Sequence, residues 1–301
     1  MREREERTRN AKMSAVDDAH RTGSAPALVY RRDGARAGFE RDALVVEEPL
    51  EIRLREGSSG RDVPLVVTMR TPGQDEDLAV GLLFGEGLVS SIDEVLDIRR
   101  RDDPRISPEL SRNAVVLTLS PLPGGARRRP ERATVMGSAC GVCGRTTIED
   151  VLKLLEAGRT RATVNLPGPT VSMTTLTSLP EALRREQNVF ASTGGIHAAG
   201  LFEDDGTLVL VREDVGRHNA TDKALGALLR ARRATPPILL VSGRLGFEIV
   251  QKAALAAMKI VAAVSAPTSL AVELAEEAGI TLVGFLRGER FNIYTHPGRI
   301  R

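Results

Sequence analysis

Ile238-Leu239-Leu240-Val241-Ser242-Gly243-Arg244 opens the stretch that decides the fold. Four aliphatic residues in a row read as a strand buried on both faces, and Ser-Gly-Arg reads as the turn that ends it. Helical spacing follows over 246–258, a second apolar strand over 260–264, a second helix over 269–278 and a third strand over 281–285. Strands alternating with single helices through short links predict a parallel sheet flanked by helices, the core of an α/β fold. In such sheets, ligands bind beyond the carboxyl ends of the strands.

Working outward, 198–202 and 208–212 flank Glu203-Asp204-Asp205-Gly206, a hairpin turn signal. Helices are expected over 179–188 and 219–232. Further upstream, 44–55, 63–70 and 113–119 read as strands. Residues 75–86 read as a helix that is acidic at its start, with Leu78, Leu82 and Leu83 on one face. Residues 121–132 are broken by Pro and Gly, carry Arg127-Arg128-Arg129 and predict an exposed loop, and 149–157 predicts a short helix. The expected organisation is a disordered, charged tail over 1–24 and a smaller, mainly β lobe over 25–157 that ends in the cysteine loop and a short helix. Irregular chain over 158–174 leads to an α/β lobe over 175–301.

Composition excludes several function classes. Hydrophobic residues make up 42% of the 301, enough for a substantial core, but aromatics are only 3% and Trp is absent. Aromatic platforms for single-stranded nucleic acid are therefore not expected. A net charge of +2, from 42 basic and 40 acidic residues, gives no polyelectrolyte signature for nucleic acid. No apolar run reaches the length of about 18 residues that a membrane helix needs. The charged start lacks the apolar region of a secretory signal, so the expected compartment is the cytoplasm.

The only two cysteines, Cys140 and Cys143, lie in Ser138-Ala139-Cys140-Gly141-Val142-Cys143-Gly144. This spacing lets both sulfurs reach one centre: a disulfide, a metal, or a sulfur atom in transit. Structural zinc takes four ligands, and a second pair would have to come from histidines such as His197 or His218. A thioredoxin-like pair opens a helix, which the flanking glycines fit poorly. A persulfide carrier needs a thiolate that two partners can reach. Glycines give that reach, and Arg145 with Arg127–Arg129 could supply the cations that favour a thiolate. The glycines also argue against two buried structural cysteines.

Several ligand-type segments follow predicted strands or helices. Thr193-Gly194-Gly195-Ile196-His197-Ala198-Ala199 offers flexible backbone N–H groups to a phosphate or carbonyl. Ala199 stands where zinc deaminases carry the proton-shuttling Glu of His-x-Glu, and the cysteine pair precedes the histidine; both points argue against deamination. Arg212 to Lys223 is the densest polar stretch. In it Arg217, His218, Asn219, Asp222 and Lys223 can hold phosphates, or alternatively form an ion-pair network that caps a helix with Asn219 as N-cap. Ser242-Gly243-Arg244 and Ser265-Ala266-Pro267-Thr268-Ser269 repeat the pattern after two more strands. Phe285-Leu286-Arg287-Gly288-Glu289-Arg290 follows the last one, with arginines around a glycine that suit a phosphate or guanine ligand.

Taken together, these segments and Met69-Arg70-Thr71-Pro72-Gly73-Gln74-Asp75-Glu76-Asp77-Leu78-Ala79 resemble the formate dehydrogenase accessory sulfurtransferase (FdhD) family, in family order over about 28–298. Ser265 to Val272 and Tyr294-Thr295-His296 extend the match. The resemblance implies a fold similar to cytidine deaminases, without their catalytic zinc, and a cytoplasmic homodimer with no structural metal. It implies that sulfur arrives as a persulfide from a cysteine desulfurase. The acceptor is the molybdenum bis(molybdopterin guanine dinucleotide) cofactor, held as a bound substrate on behalf of formate dehydrogenase. By the same resemblance Cys140 carries the persulfide and Cys143 assists. Phe285, Leu286, Arg287, Gly288, Glu289 and Arg290 bind the cofactor, and Thr193, Gly194, Arg217, His218 and Ser242 join that site. The competing reading is a non-catalytic chaperone that only binds the cofactor.

Overall fold

The computed structural model describes residues 22–57, 61–101, 107, 111–121, 134–136 and 169–301. In chain order the strands and helices are β1 (Ser24–Asp33), β2 (Arg36–Val45), β3 (Glu48–Glu56), β4 (Val63–Arg70), α1 (Asp75–Gly85), β5 (Val95–Arg100), β6 (Ala114–Leu119) and β7 (Thr134–Met136). Then follow α2 (Met173–Glu186), α3 (Asn188–Thr193), β8 (His197–Phe202), β9 (Leu208–Asp214), α4 (Arg217–Arg230), β10 (Ile238–Val241), α5 (Phe247–Leu255), β11 (Ile260–Ala263), α6 (Ser269–Glu277), β12 (Thr281–Arg287) and β13 (Arg290–Thr295).

The larger sheet has the order β13-β12-β11-β10-β8-β9. Its centre, β10-β11-β12, is parallel as the strand–helix alternation predicts. The sheet as a whole is mixed, because β8 runs antiparallel to β10 and the hairpins β8–β9 and β12–β13 complete its flanks. The central strands are apolar throughout because both faces are covered. Leu239, Val241, Val261 and Ala263 pack with α4, α5 and α6. Ile238, Leu240, Ile260 and Ala262 meet Leu176, Leu179 and Leu183, which line one face of α2 at helical spacing.

A second sheet, β5-β6-β3-β4-β7, closes the other side of the helical layer. Its Leu50, Ile52, Leu117 and Leu119 belong to the same core cluster as Leu239 and Val261. Between the sheets lies α1, apolar on every side, with even Asp75 and Asp77 buried. Burying a leucine such as Leu78 contributes roughly 1.5–3 kcal/mol. Two glycines set the approach of α1 to α4. A Cβ on Gly81 would sit 1.8 Å from the Asp222 carbonyl oxygen, and one on Gly226 would sit 1.9 Å from that of Asp77.

Three local expectations are corrected. Ser172, whose hydroxyl accepts the Thr175 N–H, starts α2 at Met173, well before 179. Gly216 is the N-cap of α4, not Asn219. Asn219 lies in the first turn and donates from Nδ2 to Met69 O and Asp214 Oδ1, joining the two sheets' connections. Finally, the strand expected over 44–55 is split: Val45 ends β2, which pairs with β1 in a hairpin over 24–45 that turns at Gly34 in the left-handed region, and β3 begins at Glu48. Among the described residues, no helix is long and apolar enough to cross a membrane.

Candidate functional site: a cleft at the strand ends

The predicted ligand segments divide in the structure. One group is consumed by packing. Lys223 is fully buried, with Nζ 2.8 Å from Asp214 Oδ2 and donating to the carbonyls of Thr71 and Glu213. Asp222 is buried against Lys252 Nζ, which donates to both of its carboxylate oxygens. Asp214 also accepts from the N–H groups of Thr71 and Gly216. Arg70 donates to both oxygens of Asp75 and to Asn113 Oδ1, while Asp77 accepts from Arg212 and Arg230. Lys223 thereby directs all three of its N–H groups at protein acceptors, and Asp222 is closed off by Lys252. Asn219, Asp222 and Lys223 are therefore scaffold, as the alternative ion-pair reading has it.

His218 sits at the border of that network. It is 7% exposed, and its Nε2 lies 3.3 Å from Glu248 Oε2. The imidazole beside it holds the Glu248 carboxyl down at about 2, against an opposing effect of burial. His218 thus faces the start of α5 and does not line the cleft described next.

The second group converges. Gly194, Ser242 and Gly288, from three separate segments, line one cleft of about 620 Å³ at the ends of β10 and β12, together with Gly195, Ile196, His197 and Val264. Gly194 ends α3 with φ 66°, which turns the chain into β8 and leaves open space over its Cα. The Thr193 hydroxyl is spent on Val189 O of its own helix, and Thr193 does not line the cleft. The Ser242 N–H donates to Ala198 O, and its hydroxyl accepts the Ala198 N–H, which ties the end of β10 to β8. Gly243 leaves room for Arg217 and His197 to pack close, since a Cβ there would meet Arg217 Cδ and His197 Nδ1 at 3.3 Å. Arg217 Nε is buried with no hydrogen-bond partner among the described residues. Burial, and then the Arg217 charge, keep the His197 pKa below the ordinary histidine value, so the ring is uncharged at neutral pH.

The segment from Phe285 to Arg290 forms the end of β12 and its turn into β13. A bulge between Gly284 and Arg287 breaks the alternation of β12. Phe285 has φ 54° and a side chain 43% exposed, whereas Leu286 is fully buried beneath it. A bulky residue at positive φ is strained, and here the strain aims an aromatic ring out at the rim. Leu286 can anchor the segment but its side chain cannot reach a ligand. Arg287 donates from Nε to Val264 O, Gly288 turns at φ 53° into the cleft, and Glu289 and Arg290 are exposed.

Three cleft residues carry no obvious sequence signal: Arg184, Gln187 and Phe190. The Arg184 guanidinium lies 4.0 Å from the centre of the Phe190 ring. Gln187 is 5% exposed, and its Nε2 has no partner among the described residues. They come from the junction of α2 and α3, at and just beyond the end of the helix expected over 179–188. Cys140, Cys143, residues 122–132 of the predicted loop and the helix expected over 149–157 lie outside the described residues.

A sequence model of the FdhD/NarQ family matches residues 45–301. The chain belongs to this family. Among curated FdhD/NarQ relatives, the sulfur carrier protein FdhD of Nocardia farcinica is 46% identical over 266 residues, covering 86% of this chain and 88% of the relative. The sulfur carrier protein FdhD of Sulfolobus acidocaldarius is 43% identical over 271 residues, covering 89% and 95%. A solved structure of a candidate formate dehydrogenase accessory protein from Desulfotalea psychrophila superposes with a TM-score of 0.69 at 23% identity, covering 93% of this chain and all of that one. It shares the mixed α/β fold. The family match begins at Val45, so β1 and most of β2 lie before it.

Proposed function

We propose that this FdhD/NarQ chain is a sulfur carrier that hands sulfur to a guanine-dinucleotide cofactor seated in the strand-end cleft. The observation that carries this reading is the convergence of Gly194, Ser242 and Gly288 on one cleft beside Arg217 and Arg184. Backbone turns, small side chains and cations are what a phosphate-bearing ligand needs. The substrate is the molybdenum bis(molybdopterin guanine dinucleotide) cofactor, destined for formate dehydrogenase. The Phe285 to Arg290 turn contacts it from the rim.

In the proposed chemistry the Cys140 thiolate attacks the terminal sulfur of a cysteine desulfurase persulfide. A new S–S bond forms on Cys140 and the desulfurase cysteine leaves as a thiolate. Cys143 then attacks the Cys140 sulfur and expels hydrosulfide toward the metal. The two cysteines are oxidised to a disulfide, the transferred sulfur is reduced to sulfide, and a thiol reductant resets the pair. Holding the cofactor in the cleft turns delivery into a local event. The wider proposal is a cytoplasmic homodimer of cytidine-deaminase-like subunits, each with a β-rich lobe over 25–157 and a cofactor-binding lobe over 175–301.

The test is to incubate the protein with a cysteine desulfurase and cysteine, then map the added sulfur by mass spectrometry. One extra sulfur on Cys140, retained in Cys143→Ala and lost in Cys140→Ala, is the expected result. No sulfur on either cysteine with a competent donor, and formate dehydrogenase activation retained in the double variant, would instead establish a cofactor chaperone.

A further inference from the structure

The junction of α2 and α3 holds a feature of the cleft lining that packing among the described residues does not account for. Gln187 ends one helix and starts the next, a position where a polar side chain commonly caps a free N–H. Its backbone N–H donates to Arg184 O, yet its side chain makes no capping bond. Gln187 lines the cleft and is 5% exposed, and its Nε2 is buried without a hydrogen-bond partner among the described residues. A buried, unpaired donor carries its full desolvation penalty in the free protein, so it needs a reason to be there. Beside it the Arg184 guanidinium and Phe190 ring are stacked at 4.0 Å, and both line the same cleft. Planar groups of this kind accept a base on a face.

We propose that Gln187 reads the base of the bound nucleotide. On binding, the amide rotates out of its closed position so that Nε2–H donates to an acceptor on the base edge, guanine O6 in the cofactor, while the Arg184–Phe190 pair supplies a stacking surface. The phosphates lie toward the rim turn at Gly288. This inference rests on the cofactor reading above and adds the residue that contacts the base rather than the phosphates. It also gives the orphan amide a use: a site built to hydrogen-bond a ligand group discriminates against ligands that lack it.

The test titrates the full chain calorimetrically with GDP and with inorganic pyrophosphate, in the wild type, Gln187→Met and Gln187→Asn. Gln187→Met keeps the side-chain volume and removes the amide. It is expected to weaken GDP roughly tenfold or more, with pyrophosphate affinity unchanged. Its melting temperature in the free state should hold or rise by a few degrees, because the unpaired buried amide is gone. Gln187→Asn withdraws the amide by one methylene and should weaken GDP in the same sense. Equal losses for GDP and pyrophosphate would make Gln187 a support of cleft shape and overturn the inference. So would undiminished GDP binding by Gln187→Met. Failure of the wild type to bind either ligand would overturn the cofactor site itself and this inference with it.

Discussion

Two polar regions of this protein come from equally dense motifs, yet they end in opposite states. Between the sheets, Arg70–Asp75, Lys223–Asp214, Lys252–Asp222 and the Asp77 pairs with Arg212 and Arg230 leave each buried charge matched. At the strand ends, Gln187 Nε2 is buried without a hydrogen-bond partner among the described residues beside an open cleft, and Arg217 Nε, Arg53 Nε, His218 Nε2 and Arg299 Nε are in the same state elsewhere. Matched buried charges hold one arrangement of the chain together, while an unmatched buried donor that also lines an open cleft is a candidate ligand contact. Residue type alone does not separate the two; saturation together with access to the cleft does.

The largest effect that would break this comparison comes from the scaffold side. Gly226→Val places atoms where the Asp77 backbone already lies, so it should lose more than ~4 kcal/mol of stability or fail to fold, as read by urea unfolding. Next, Lys252→Met strands the buried Asp222 carboxylate. It should cost about 3–5 kcal/mol, with most of the loss recovered when Asp222→Leu is added. Neither change touches the cleft, so the folded fraction should bind GDP as the wild type does.

A smaller effect sits at the border. Glu248 titrates near 2 when folded, against an ordinary value of 4.5. Its contribution is therefore complete above about pH 4.5 and is lost as pH falls toward 2. Glu248→Gln should be less stable by on the order of 2–3 kcal/mol near pH 6, and the gap should close in acid, as read by denaturant titrations across pH. The smallest stability effect sharpens the cleft side. Arg184→Ala, at an exposed residue, should change stability by no more than about 0.5 kcal/mol while weakening GDP roughly tenfold.

The sequence made the core legible where burial is two-sided. Ile238 to Val241 and Ile260 to Ala263 could be little else than interior strands, and the short helices between them left only a parallel arrangement. It was less legible where local chemistry outweighs periodicity. The start of α2 hides in Ser172 to Ser178, where the Thr177 and Ser178 hydroxyls bond back to the Thr174 and Thr175 carbonyls and apolar spacing is sparse. The β1–β2 hairpin hides because its outer face shows Leu28, Tyr30 and Phe39 to solvent among charged residues, without a buried stripe. In the site, Gly194, Ser242 and Gly288 were readable from turn composition and position after regular elements. Arg184, Gln187 and Phe190 were not, since only the break between α2 and α3 turns them toward the cleft. Asn219, Asp222 and Lys223 looked like ligand contacts because an ion pair and an anion site draw on the same residue types.

Hydrogen exchange with and without GDP tests the division of the molecule most directly. Slowed exchange confined to peptides over 184–198, 242–244, 264–267 and 285–290, with the α1–α4 interface unchanged, is the predicted result. Protection centred on 70–77 and 219–223, or none in the strand-end segments, would contradict it and return the buried network to the list of ligand sites.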